Sequence, residues 1–174
     1  MAFEKMLYLL DANVLITASN TYYSVDAVPE FWEWLAHKGR MGEIKMPIET
    51  FEEVRDGGTD AEVDLLYGWL QDEENRSAIL LEEEVQRGLV QRVVDQYAPD
   101  LTEDELEAIG RDPFLIAYGL AQPGRRCIVT MEVSGRKHKR QNRRIPDVCA
   151  DLGVPCCNTV TMLRTLGFST RWRG

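Results

Sequence analysis

Two short apolar runs that each lead to a carboxylate constrain the fold of this chain more than any other feature. Met6-Leu7-Tyr8-Leu9-Leu10 runs into Asp11, and Cys127-Ile128-Val129-Thr130 leads through Met131 to Glu132. Such runs, apolar at successive positions, read as strands buried on both faces, the pattern of a parallel sheet covered by helices. Helical spacing marks the segments between and after them. Val28, Phe31, Trp32 and Leu35 form one pattern, ending at Gly39, and Glu49 to Val54 form another behind Pro47. Further patterns lie at Leu65 to Leu70, Val85 to Tyr97, Leu115 to Leu120 behind Asp112-Pro113, Pro146 to Leu152 and Thr161 to Leu166. Strands alternating with helices predict a three-layer α/β/α architecture with a mostly parallel sheet. At 174 residues a single domain, 1–174, is expected.

Local signals set the boundaries. Thr59-Asp60-Ala61-Glu62 and Thr102-Glu103-Asp104-Glu105 both have the spacing of a capping box, and Gly57-Gly58 and Gly167 read as helix stops. Glu43 to Met46 reads as a short strand, and Ser19 to Asp26 as a loop with two adjacent tyrosines. Ser77 to Leu81 fits either a short strand or the approach to a helix. With Trp32 and Trp34 on one short helix, one is expected to face outward or into a partner, a surface that would suit a homodimer; Trp32 is the one expected inside.

Composition narrows the function classes. No apolar stretch reaches the roughly 18 residues that span a bilayer, and the first residues lack the basic lead-in of a secretory signal. Four cysteines without CxxC spacing and two histidines argue against zinc and suit reduced thiols in a cytoplasmic protein. The net charge of −9 hides a division. Residues 1–124 hold 9 Lys and Arg against 26 Asp and Glu, a net −17, whereas residues 125–174 hold 11 against 3, a net +8. Arg136, Lys137, Lys139, Arg140, Arg143 and Arg144 concentrate that positive charge in one segment just after Glu132. A basic block of this kind reads either as a solvated loop or as a grip on a phosphate backbone.

Asp11 and Glu132 follow strands, where open parallel sheets place their ligands. Asp112 opens one helix, and Glu53 lies on another. Each has an ordinary reading: Asp11 and Asp112 as helix caps, Glu53 as a solvated side chain, Glu132 as the partner of a nearby arginine. Taken together they suggest a carboxylate cluster. Crowded carboxylates resist ionising together unless a divalent cation joins them, and Mg²⁺ accepts such oxygen ligands together with phosphate oxygens. The chain lacks GxSxG, a GxxxxGK phosphate loop and a recognisable Cys/His pair, so metal-assisted hydrolysis is the expected chemistry.

The motifs resemble a known family. Leu9-Leu10-Asp11-Ala12-Asn13-Val14-Leu15-Ile16 is similar to the opening motif of PIN-domain nucleases, and Phe51-Glu52-Glu53-Val54 to the helix bearing their second acid. Asp112-Pro113-Phe114-Leu115-Ile116-Ala117 and Ile128-Val129-Thr130-Met131-Glu132 stand where the third and fourth acids lie. Ile145-Pro146-Asp147-Val148-Cys149 and Met162-Leu163-Arg164 resemble a bacterial subgroup of PIN-like proteins. The resemblance implies a metal-dependent endoribonuclease, often the toxin of a VapC-type toxin–antitoxin pair, with an antitoxin protein as partner. Asp11, Glu53, Asp112 and Glu132 would then hold Mg²⁺ or Mn²⁺, with Asn13 and Thr130 orienting ligands or a water. The family more commonly has Asp where Glu132 stands, which leaves Asp147 as a substitute acid and Glu49 as another. The basic segment would hold RNA, with Trp172 or Tyr22–Tyr23 stacking on bases. The competing expectation is a PIN-like module that binds RNA or protein without cutting. A phosphatase for small molecules fits less well, because it needs a closed pocket more than a charged flank.

Overall fold

A computed structural model of the chain describes residues 4–58, 60 and 64–174, and every structural statement below concerns those residues. The first apolar run forms β1 (Leu7–Leu10), followed by β2 (Ile44–Lys45), β3 (Arg126–Val129) and β4 (Cys156–Cys157). Every pairing is parallel and the order is β2-β1-β3-β4, with Leu10 opposite Val129. The chain moves from β1 to β2 on one side, then crosses to place β3 on the other side of β1. The strand order therefore reverses between β1 and β3, and the crevice beyond their carboxyl ends is the natural ligand position.

Ten α-helices are described: α1 (Ala12–Thr17), α2 (Pro29–Arg40), α3 (Ile48–Asp56), α4 (Leu65–Gln71) and α5 (Glu73–Ile79), then α6 (Arg87–Tyr97), α7 (Glu103–Ile109), α8 (Asp112–Ala121), α9 (Ile145–Leu152) and α10 (Thr159–Thr165). Side chains of a strand alternate between its faces, which gives the sheet two cores. Tyr8, Leu10, Cys127 and Val129 pack with Trp32 and Leu35 of α2, Phe51 of α3 and Met162 of α10. Leu9 and Ile128 point the other way, onto Val93 and Tyr97 of α6, Ile116 of α8 and Val148 of α9. The result is the three-layer α/β/α arrangement. No helix among the described residues is long and apolar enough to cross a membrane.

Several expectations are corrected. Trp32 and Trp34 are both buried, so neither serves a partner. Trp32 meets Trp69 at 5.2 Å and Trp34 meets Phe168 at 4.9 Å between ring centroids. Aromatic pairs of this kind contribute about 0.5–1.5 kcal/mol beyond area burial, which is why both rings turn inward. Part of the expected loop after β1 is a π-helical turn, Ala18–Tyr22, that continues α1. Ser77 to Ile79 end α5, while Leu80 makes an isolated parallel bridge to Met46. The capping box at Thr102 is complete, with bonds of 2.8 and 3.3 Å. The one at Thr59 lies outside the described residues apart from Asp60; Asp64 caps α4, accepting from the Tyr67 N–H at 3.0 Å.

Candidate active site

The carboxyl ends of β1 and β3 are stitched together by polar side chains. The Asp11 N–H donates to Val129 O at 2.9 Å, which sets the residue directly in the crevice. Asp11 stands at the N-cap position of α1 yet makes no side-chain capping bond. Its carboxylate instead accepts from Thr130 Oγ1 at 2.7 Å. Thr130 Oγ1 in turn accepts from the Glu132 N–H at 3.1 Å and from Asn13 Nδ2 at 3.5 Å, while Asn13 Oδ1 accepts from the Met131 N–H at 3.0 Å. Thr130 thus holds the first acid, and Asn13 ties Thr130 and the backbone leading to Glu132 to the start of α1.

Asp112 is the first residue of α8, with Arg111 rather than Asp112 at the cap position and no side-chain capping bond. Neither aspartate is engaged in capping, so the ordinary reading fails for both. Burial and then the negative charges of Asp11, Glu132 and Glu53 push the Asp112 carboxyl up to about 8. Burial likewise raises Asp11 to about 6, against the Thr130 hydrogen bond and with help from Glu53 and Glu132. Glu53 is on the exposed rim of α3; desolvation of its carboxyl raises it, opposed by the Arg111 charge. All four predicted acids therefore share one electrostatic field.

Glu132 adds a second task. Its Oε2 accepts from the Ile145 N–H at 2.7 Å, capping α9, and none of the ion pairs among the described residues involves it. The two alternates lie elsewhere. Asp147 accepts from Ser134 Oγ and from the Gly135 N–H at 2.8 Å, and the Ser134 bond leads in holding its carboxyl below the usual range. It fastens the root of the basic segment and is not the substitute fourth acid. Glu49 Oε1 accepts from the Tyr118 hydroxyl at 3.3 Å, and its Oε2 is buried without a partner.

One member of the site carried no signal in the sequence. Tyr97 closes α6 at 4% exposure, and its hydroxyl has no hydrogen-bond partner. Burial, then the charges of Asp112 and Glu132, raise this phenol above its ordinary range. A buried O–H donor facing carboxylates is a place for a water or a ligand oxygen. In the sequence Tyr97 is only one more residue of an apolar helical stripe.

The residues can be tested against a metal. Among those described, no three or more His, Cys, Asp or Glu side chains stand, as placed, where they could hold an ion. The donor chemistry still fits a hard divalent cation: four carboxylates, three of them with raised affinity for a proton, beside a phenol without a partner among the described residues. Of that set, Glu53 is exposed on α3 and Glu132 is held by the Ile145 N–H.

The basic segment is more ordered than a solvated loop. Arg140 donates through Nε to Glu105 Oε1 at 2.7 Å and through Nη1 to Asp100 at 2.8 Å, and Arg143 pairs with Asp151 and with Gln96 O. Arg140 has φ of 54°, a left-handed backbone that a side chain adopts at a cost of about 1–2 kcal/mol, which its ion pairs offset. These two arginines hold the segment to the body. Arg136, Lys137, Lys139 and Arg144 are exposed. Of the predicted stacking residues, Trp172 donates Nε1–H to Glu30 O at 3.0 Å and lies against His37, and Tyr23 stacks on Phe31 at 4.6 Å. Tyr22 is the most open of the three, at 60% exposure, with its ring 6.4 Å from that of Tyr23.

A parallel α/β protein with coupled carboxylates at its switch point is the class that fold and site define. The chain belongs to the family described as a domain of unknown function, DUF4411, whose model matches residues 8–170 and so takes in all four acids and the basic segment. No curated protein and no solved structure matches it.

Proposed function

We propose that this chain is a metal-dependent endoribonuclease, the activity implied by its resemblance to PIN-domain nucleases. The observation that carries the reading is the mutual coupling of Asp11, Glu53, Asp112 and Glu132 at the switch point. Asp11 and Asp112 would hold Mg²⁺ or Mn²⁺, joined by Glu53 and Glu132 after rotation. When bound, such a cation lowers the pKa of a coordinated water and offsets charge on the transferring phosphoryl group. The chain's own residues do the rest. Thr130 and Asn13 fix Asp11, Tyr97 offers a hydrogen bond to a water or phosphate oxygen, and Arg136, Lys137, Lys139 and Arg144 hold the RNA backbone. A toxin role in the cytoplasm, with an antitoxin protein as partner, belongs to the same reading.

The test is incubation of purified chain with RNA and Mg²⁺ or Mn²⁺, with and without EDTA, alongside Asp11→Asn and Asp112→Asn. Cleavage that needs the metal and falls more than about a hundredfold in both variants supports the reading; equal cleavage by all three proteins ends it. Growth arrest on expression, relieved by Asp11→Asn, tests the toxin role. The bond from Ile145 to Glu132 favours a second reading, an RNA-binding module that does not cut. In that case RNA stays intact under metal but binds with a marked salt dependence.

A further inference from the structure

A cavity of about 490 Å³ opens beside the acids and shares Thr130 and Glu132 with them. Val14, Ala18, Pro146, Cys157 and Leu163 line its apolar wall. Tyr22, Val133 and Val160 also line it and are 60, 80 and 52% exposed, large apolar groups left in water. Ser134, two residues beyond Glu132 on the same lining stretch, leads straight into Gly135 and the exposed cations Arg136 and Lys137.

We infer that this cavity receives one unpaired nucleobase of an RNA strand, stacked on Tyr22, whose adjoining phosphate lies at the acid cluster. The inference rests on the nuclease reading and adds to it a subsite for one base beside the acids. Thr130 and Glu132 border both the cavity and the acid cluster, so an occupant sits next to the reacting phosphate rather than at a remote surface. Glu132 and the root of the basic segment at Ser134 follow one another along one stretch of its lining, and Arg136 and Lys137 beyond it are exposed. A nucleotide matches that arrangement: an apolar ring face for the cavity and phosphates that run along its edge toward those cations. The ring of Tyr22 supplies the stacking platform by which proteins engage unpaired bases, which a base inside a duplex cannot reach.

The test is binding of a fluorescently labelled six-nucleotide RNA in EDTA, so that no turnover is needed, compared with the same RNA made abasic at each position in turn. Tyr22 and Val160 are exposed, so Tyr22→Ala and Val160→Asp keep the fold. The expected result is a loss of about five- to a hundredfold for Tyr22→Ala, the range of base–aromatic stacking. Its salt dependence should be unchanged. One abasic position should match that loss and add little to it. Wild-type affinity in both variants, or indifference to an abasic site at every position, overturns the inference; that is also the outcome if a partner protein fills the cavity. Base-dependent binding without metal-dependent cleavage would keep the cavity and sink the nuclease. Cleavage indifferent to Tyr22 and to missing bases would do the reverse.

Discussion

Asp112 and Asp11 bind protons more tightly in the folded chain than in the unfolded one, which has a measurable consequence. Facing them are Glu53 from α3, Glu132 beyond β3 and Tyr97 from α6, while the cation of Arg111 acts on Glu53 and pairs with Asp56. Between the ordinary value of 3.8 and the raised values of about 6 and 8, the native state holds more protons. Stability is then greatest at the acid end of that window and declines as pH rises through it, at up to about 1.4 kcal/mol per pH unit per group. Metal-free protein should therefore melt higher at pH 5 than at pH 8.5. Asp112→Asn should flatten the curve above pH 6 and raise the pH 8.5 melting temperature by at least about 4 °C. A scan with unchanged slope would refute this. Tyr97→Phe removes a buried hydroxyl without a hydrogen-bond partner among the described residues, so urea unfolding should move by less than about 1 kcal/mol. Cleavage should slow about tenfold, because the donor to substrate or water is gone. At this scale the aspartates were legible because they follow a strand or open a helix. The bond from Ile145 to Glu132 was not, since its partners meet only once the intervening loop has folded.

Between elements, α2 and α5 approach so closely that one glycine decides how they pack. A Cβ on Gly39 would lie 2.3 Å from Ala78 O, backbone that cannot swing aside. Gly39→Ala should destabilise by about 1–3 kcal/mol in urea melts, the range for overpacking. The sequence marked Gly39 as a helix stop, but α2 runs to Arg40 and the glycine serves packing instead. Thr102→Ala opens the capping box of α7 and should cost about 1 kcal/mol. The Glu105 N–H would then lose its acceptor, the Thr102 hydroxyl, and the loosened first turn carries the carboxylate that holds Arg140, so the basic segment should exchange faster as well. The helices were readable because amphipathic spacing and caps are local. β2 and β4, two residues each, are too short for any periodicity; β4 was missed, and sheet register alone defines it.

Over the whole molecule, the net charge of −9 divides into −17 over residues 1–124 and +8 over residues 125–174, and the exposed cations that follow β3 are where the proposed RNA contact is tested. Replacing Arg136, Lys137, Lys139 and Arg144 together by Ala should lower the slope of log affinity against log salt by up to about 3, at about 0.7 for each phosphate no longer neutralised. Arg140→Ala should instead loosen the segment, since that side chain already holds Glu105 and Asp100. An unchanged slope in the fourfold variant would place RNA elsewhere. Whether the crowded acids accept a divalent cation decides the chemistry of the whole site, and Mn²⁺ titration by calorimetry measures it directly. Wild-type chain should show saturable binding that weakens by more than about tenfold in Asp112→Asn. Absence of saturable binding, or equal affinity in the two proteins, would contradict it.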